Sequence, residues 1–181
     1  MRIAIAGSHR SGKSSLAEGL LRRLQGYVLV EEPYAHMVED GYEFSDPPTA
    51  EEFMDQLHCC LASIAASGRQ TLFDRSPVDF LAYALALSRR GRPHALEEWL
   101  DLCREGIEKL DAIVFCPIEE PDRIVIPQGE HRKLRRRTND ALWELIVEDR
   151  FDLMGETTII EVQGDLSTRV ETALRLLESA H

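Results

Sequence analysis

At 181 residues, 44% of them apolar and 29% charged, the chain has the length and balance of a water-soluble protein able to bury a sizeable core. Its formal net charge of −11 argues against general affinity for nucleic acid or anionic membrane, and no apolar run approaches the roughly 18 residues that span a bilayer. Cys59, Cys60, Cys103 and Cys116 contain no C-x-x-C pair and read as reduced packing residues of a cytoplasmic protein, with no signal peptide ahead of the first strand.

The chain opens on "RIAIA" (2–6), a buried strand, followed by Leu16, Leu20, Leu21 and Leu24 at helical spacing. "YVLVEE" (27–32) reads as a second strand stopped by Pro33, and "DGYEFSDPPTA" (40–50) as a loop broken by Pro47 and Pro48. Phe53, Leu57, Cys60, Leu61 and Ile64 give the next helix its stripe. "TLFD" (71–74) is a short strand, and the nearly unbroken apolar run from Val78 to Leu87 predicts a helix buried on most sides. "RGRP" (90–93) breaks it before a helix marked by Leu96, Trp99, Leu100, Cys103, Ile107 and Leu110. "AIVFCPI" (112–118) is a fourth strand and "EEPDRIVIPQGE" (119–130) a loop. A long helix follows, with Leu142, Leu145, Ile146, Asp149 and Leu153 on one face. "TTIIEV" (157–162) is the fifth strand, and Val170, Leu174 and Leu177 belong to a closing helix.

Five apolar strands alternating with helices predict an α/β fold, a parallel five-stranded sheet covered on both faces, in a single domain over 1–181. Right-handed crossovers put ligands at the carboxyl ends of the strands, so the loops after residues 6, 32, 74, 118 and 162 should meet over one cleft.

Gly7, Ser8, His9, Arg10, Ser11, Gly12, Lys13 and Ser14 match G-x-x-x-x-G-K-[ST], the Walker A or P-loop pattern, in the strand-to-helix setting it needs. Glycines let backbone N–H groups turn toward a β-phosphate, and the helix start at Ser14 and Ser15 adds partial positive charge. Lys13 would reach the β- and γ-phosphates and Ser14 would ligate Mg²⁺. Asp74, at the end of its strand, holds the Walker B position and is the second expected metal ligand; Asp before a helix also serves as an N-cap. Glu31 and Glu32 end a strand read as the neighbour of the phosphate-loop strand. Alternation sends them to opposite faces, and Glu32, fixed by Pro33, is the expected general base. Arg75 can bridge acceptor and phosphate with its planar fork.

The basic run His131, Arg132, Lys133, Arg135, Arg136, Arg137 lies where a closing lid (about 119–137) would be. Only one or two of its members can aim at one phosphate, and Arg132 and Arg136 are the expected pair. Gly164 in "VQGD" permits close approach of adenine to backbone. The histidines show no metal-ligand spacing.

"FDRSP" resembles the [DE]-R-S motif of the deoxyribonucleoside kinase family and its nucleoside monophosphate kinase-like relatives. "VEEP" resembles that family's E-P motif, Gln56 its base-reading glutamine, and the basic run its arginine-rich lid. The D-R-S-P segment is equally similar to bacterial P-loop domains of the nicotinamide riboside kinase type. The resemblance implies a P-loop kinase using ATP and Mg²⁺ to phosphorylate a hydroxyl of a small nucleoside-like acceptor. Tyr34, Phe53, Gln56, Asp79 and Tyr83 are candidates for the acceptor pocket, and a homodimer is left open. A P-loop hydrolase or a nucleotide-binding regulatory module is the alternative, although the N-K-x-D guanine reader of GTPases is absent from the sequence.

Overall fold

Strand residues alternate between two apolar layers. Ala4, Ala6, Phe73, Ile113 and Phe115 face one layer; Ile3, Ile5, Leu72, Ala112 and Val114 face the other. That period-two pattern, apolar on both sides, is what a parallel sheet buried on both faces requires. The protein, seen here as a computed structural model, is described over residues 1–88, 95–122, 124 and 131–180. The expected breaker at 90–93, and residues 123 and 125–130 of the expected loop, lie outside the described residues.

The elements run β1 (Arg2–Ala6), α1 (Lys13–Leu21), β2 (Val28–Val30), α2 (Pro33–Glu39), α3 (Ala50–Ala66), β3 (Thr71–Asp74), α4 (Pro77–Leu87), α5 (Leu96–Ile107), β4 (Ala112–Phe115), α6 (Arg132–Leu142), β5 (Thr158–Glu161) and α7 (Leu166–Ser179). All strands are parallel in the order β2-β3-β1-β4-β5. The α/β fold expected from the sequence is therefore present. Helices α3 to α6 cover one face, with apolar α4 at their centre, and α1 and α7 cover the other.

Three local features differ from the sequence reading. β2 is not beside β1: it holds the sheet edge, and β3 lies between them. Burial decides this, because all four residues of β3 are buried while none of the three in β2 is. Glu31 and Glu32 consequently follow the strand instead of ending it. Pro33 does more than stop the strand: it occupies the first turn of α2, with Glu32 as N-cap residue. Finally, α6 runs into a π-helical turn over Trp143–Val147, and Asp149 takes a left-handed φ of 43°. Asp149 thus ends the helix that was expected to continue through it, and its Oδ1 accepts from Leu153 N at 2.7 Å.

Gly106 shows how tightly α5 packs. A Cβ there would lie 2.5 Å from Leu61 Cδ2 and 2.6 Å from Pro77 Cγ. In an exposed helix, Gly→Ala stabilises by about 1 kcal/mol. Here the rigid Pro77 ring reverses the sign: Gly106→Ala should destabilise by about 1–3 kcal/mol in urea unfolding.

Candidate active site

Between β1 and α1 runs a loop in which the carbonyls of residues 7 to 11 are each held by a cation, while that of Gly12 accepts Leu16 N inside α1. Gly7 O accepts from Arg75 Nη1 at 3.3 Å, and Ser8 O from Lys13 Nζ at 2.8 Å. His9 O and Arg10 O accept from Arg135 Nε and Nη2, each at 3.0 Å. Ser11 O accepts from Arg169 Nη1 at 2.7 Å. The glycines are needed for space and for backbone: a Cβ on Gly7 would sit 2.7 Å from Cys116 O, and Gly12, the N-cap residue of α1, has φ 89°.

β3 ends beside this loop. Asp74 is buried, and its Oδ1 has no hydrogen-bond partner. Burial raises its pKa, opposed by the Ser14 hydroxyl, Lys13 and Arg75. Asp74 does not cap α4. That role belongs to Ser76, whose amide and hydroxyl both reach Asp79 Oδ2, at 2.9 and 2.7 Å. Asp79 Oδ1 in turn accepts Gly7 N at 2.9 Å. Asp79, a candidate for the acceptor pocket, therefore joins the start of α4 to the phosphate loop.

Arg75 is the hinge of the site. Its φ of 136° is costly for a side-chain-bearing residue, of order 1–3 kcal/mol, and such strain concentrates at functional sites. Its Nε donates to Glu32 Oε2 at 3.0 Å, and its guanidinium carbon lies 5.4 Å from the Tyr83 ring centroid. Burial alone would lower its pKa, but the fields of Tyr83, Asp79, Glu32 and Asp74 outweigh that and hold the guanidinium charged. Glu32 is thus drawn to the site from the sheet edge by α2 and Arg75, while Glu31 is exposed.

Lys13 is buried at 5% exposure. Desolvation lowers its pKa to about 8, helped by Arg75 and opposed by Asp79, Asp74 and Glu32.

The remaining expected residues divide. His9 is tied in: its amide donates to Tyr83 Oη at 2.7 Å, and its Nδ1 lies 3.1 Å from the same oxygen. Tyr83 stacks on Phe53, with centroids 4.5 Å apart. Gln56 is buried and donates to Glu52 O at 3.2 Å, and Tyr34 is exposed against Phe44. Gly164 N donates to Glu119 Oε1 at 2.9 Å, and its carbonyl accepts from Arg169 Nε at 2.9 Å. Arg132 and Arg136 are exposed on α6. The arginine of the basic run that meets the loop is Arg135, 2% exposed and paired with Asp122 at 2.5 Å. Arg169 went unread in the sequence. A signal was available for Arg169, a charge in an otherwise apolar helical stripe with Ala173 and Leu177; Arg135 shares its buried face with Thr138 and Leu142, a weaker pattern.

The site fits nucleotide phosphate with Mg²⁺. Three of its buried oxygens, Ser8 Oγ, Ser11 Oγ and Asp74 Oδ1, have no hydrogen-bond partner, and buried polar atoms left so are rare without a ligand or water to meet them. Among the described residues no group of three His, Cys, Asp or Glu is placed to hold a metal, so Ser14 and Asp74 would supply a minority of ligands and phosphate and water the rest, as suits Mg²⁺. A cavity of about 650 Å³ at the opposite end of the sheet, lined by Met1, Asp111, Met154 and Thr158 among others, contains none of these residues.

Two outcomes follow. A raised carboxylate pKa means that ionised Asp74 destabilises the native state at neutral pH, a cost that fades as pH falls toward 3.8. Asp74→Asn should therefore raise the melting temperature while weakening Mg²⁺-dependent nucleotide binding; a structural cap would lose stability instead. Affinity for ADP should fall as pH rises through about 8, where Lys13 loses its proton, by up to about tenfold per pH unit. Lys13→Ala should bind weakly with a flat profile, read by calorimetry.

Comparison with known proteins agrees with this geometry. Among solved structures the chain is similar to deoxyadenosine kinase from M. mycoides, at 14% identity over 100% of both chains with a TM-score of 0.70. It is similar to thymidylate kinase from Candida albicans, at 15% identity over 98% of this chain and 91% of that one, TM-score 0.67. It also resembles NadR protein in complex with NR, at 20% identity over 99% of this chain and 49% of that one, TM-score 0.67. These identities establish the fold alone. No curated protein matches the sequence significantly. A family profile described as AAA domain matches residues 2–169, most of the chain, and the protein belongs to that P-loop family.

Proposed function

We propose that this protein is a kinase that transfers the γ-phosphoryl group of ATP to a hydroxyl of a small nucleoside or nucleoside-like molecule. The observation that carries the reading is the ion pair between Glu32 Oε2 and Arg75 Nε, 3.0 Å, beside Asp74 and the phosphate loop. A phosphate-binding loop suffices for binding or hydrolysis. A carboxylate oriented by an arginine at the same strand ends is what an alcohol acceptor additionally needs. The described neighbours support the acceptor class: deoxyadenosine kinase with dCMP and dCDP, thymidylate kinase, and NadR with AMP-PNP or with NR.

In this scheme the phosphate loop and Lys13 hold the β- and γ-phosphates, and Gly164 lies at the strand end where adenine would rest. Glu32 accepts the hydroxyl proton as the acceptor oxygen forms its bond to the γ-phosphorus. The bond from that phosphorus to the β,γ-bridging oxygen breaks, and ADP leaves. Arg75 steadies Glu32 and offers charge between acceptor and phosphate. Arg132 and Arg136, exposed on α6, supply charge to the transferring group. Mg²⁺, held by Ser14 and Asp74, would neutralise phosphate charge. The reading takes residues 1–181 as one kinase domain with a lid over about 119–137, working in the cytoplasm.

Glu32→Gln keeps the side chain's shape and removes its base. Acceptor-dependent ADP release across a panel of nucleosides should fall about a hundredfold or more, while ADP affinity stays close to the parent's. Glu31→Gln should be mild. ADP release that never depends on an added acceptor would instead identify a hydrolase.

A further inference from the structure

We propose that Arg135 and Arg169 are positioning residues of the phosphate loop, acting on nucleotide through the backbone of residues 9–11 without touching its phosphates. The activity readout below rests on the kinase reading; the binding readouts do not.

Both guanidiniums have all three nitrogens committed. Arg135 gives Nε to His9 O and Nη2 to Arg10 O, at 3.0 Å each, and Nη1 to Asp122 Oδ2 at 2.5 Å. Arg169 gives Nε to Gly164 O at 2.9 Å, Nη1 to Ser11 O at 2.7 Å and Nη2 to Glu119 Oε1 at 2.8 Å. Arg135 is 2% and Arg169 7% exposed. Turning either toward a phosphate would break three charge-assisted hydrogen bonds and strand a carboxylate, whereas Arg132 and Arg136 on the same helix as Arg135 are already at the surface.

Their effect follows from peptide geometry. In a trans peptide the C=O and the following N–H point in opposite directions. Holding the carbonyls of residues 9, 10 and 11 on the cation side turns the N–H groups of Arg10, Ser11 and Gly12 away from it. The N–H of Ser11 closes the loop on Ser8 O at 3.3 Å, and peptide planarity fixes the directions of the Arg10 and Gly12 N–H groups once the carbonyls before them are held. Loop shape therefore depends on two helices that follow it by more than a hundred residues. A lysine cannot replace Arg135, because one ammonium cannot reproduce a planar fork spanning two adjacent carbonyls and a carboxylate.

The test measures Kd for ADP, ATP and inorganic tripolyphosphate by calorimetry on Arg135→Lys and Arg169→Lys, beside melting temperatures. Loop positioning predicts weakening of about tenfold or more, in the same ratio for all three ligands, since all carry the phosphates that the loop wraps. In kinetics KM for ATP should rise with kcat little changed. A loss for ATP with ADP unchanged would mean that the arginine touches the γ-phosphate, and would overturn the proposal. So would a drop in melting temperature with all three affinities unchanged, the mark of a purely structural pair. Should Arg135→Lys fail to fold, Asp122→Asn at the surface releases one anchor and leaves the guanidinium in place. ADP and ATP should then weaken together several-fold, and unchanged affinities or a loss confined to ATP would overturn the proposal equally.

Discussion

Five consecutive carbonyl oxygens, those of residues 7 to 11, accept from cationic side chains that arrive from four places in the chain: Lys13 on α1, Arg75 after β3, Arg135 on α6 and Arg169 on α7. A loop rich in glycine and serine has many conformations of similar energy, and anchoring each carbonyl from residue 7 to residue 11 selects one. The sheet order serves this end. With β1 in the middle, its carboxyl end is flanked by β3 on one side and β4 on the other, so side chains from both halves of the fold reach the same loop.

So many buried cations would be intolerable alone. Each arginine carries its own carboxylate: Arg75 has Glu32 and Asp79, Arg135 has Asp122, and Arg169 has Glu119. Pairing offsets the desolvation that burial imposes. Lys13, which bonds a carbonyl instead of a carboxylate, shows the difference in its lowered pKa. The chain is acidic overall, yet four of its 21 lysines and arginines, Lys13, Arg75, Arg135 and Arg169, converge on one loop, three of them with a carboxylate as counter-charge.

The sheet and the loop were legible because both depend on local pattern. Apolar runs bounded by turn residues mark strands whatever their order, and the spacing of Gly7, Gly12, Lys13 and Ser14 is a property of consecutive residues. Strand order was not local. Placing β2 beside β1 was reasonable from chain order and wrong, because relative burial put β3 between them. Pro33 carried two meanings, strand stop and helix start, and only the second brought Glu32 to Arg75. The roles of Asp79, Arg135 and Arg169 depend on partners 72 to 158 residues away, a distance at which a single sequence offers little beyond an out-of-place charge in an apolar stripe.

The bond from Arg169 to Ser11 joins positions 158 residues apart. During synthesis the amino-terminal segment emerges first, yet the loop it contains cannot reach its final shape until α7 has left the ribosome and docked. A contact of such long range forms late in folding, after the closer ones have reduced the entropy of closing the chain. The sheet can assemble before then, but the final loop shape waits. α7 therefore sets a condition on a loop that precedes it by 158 residues: a chain collapsed around β1 to β4 has most of its sheet, yet the Ser11 carbonyl still lacks its anchor.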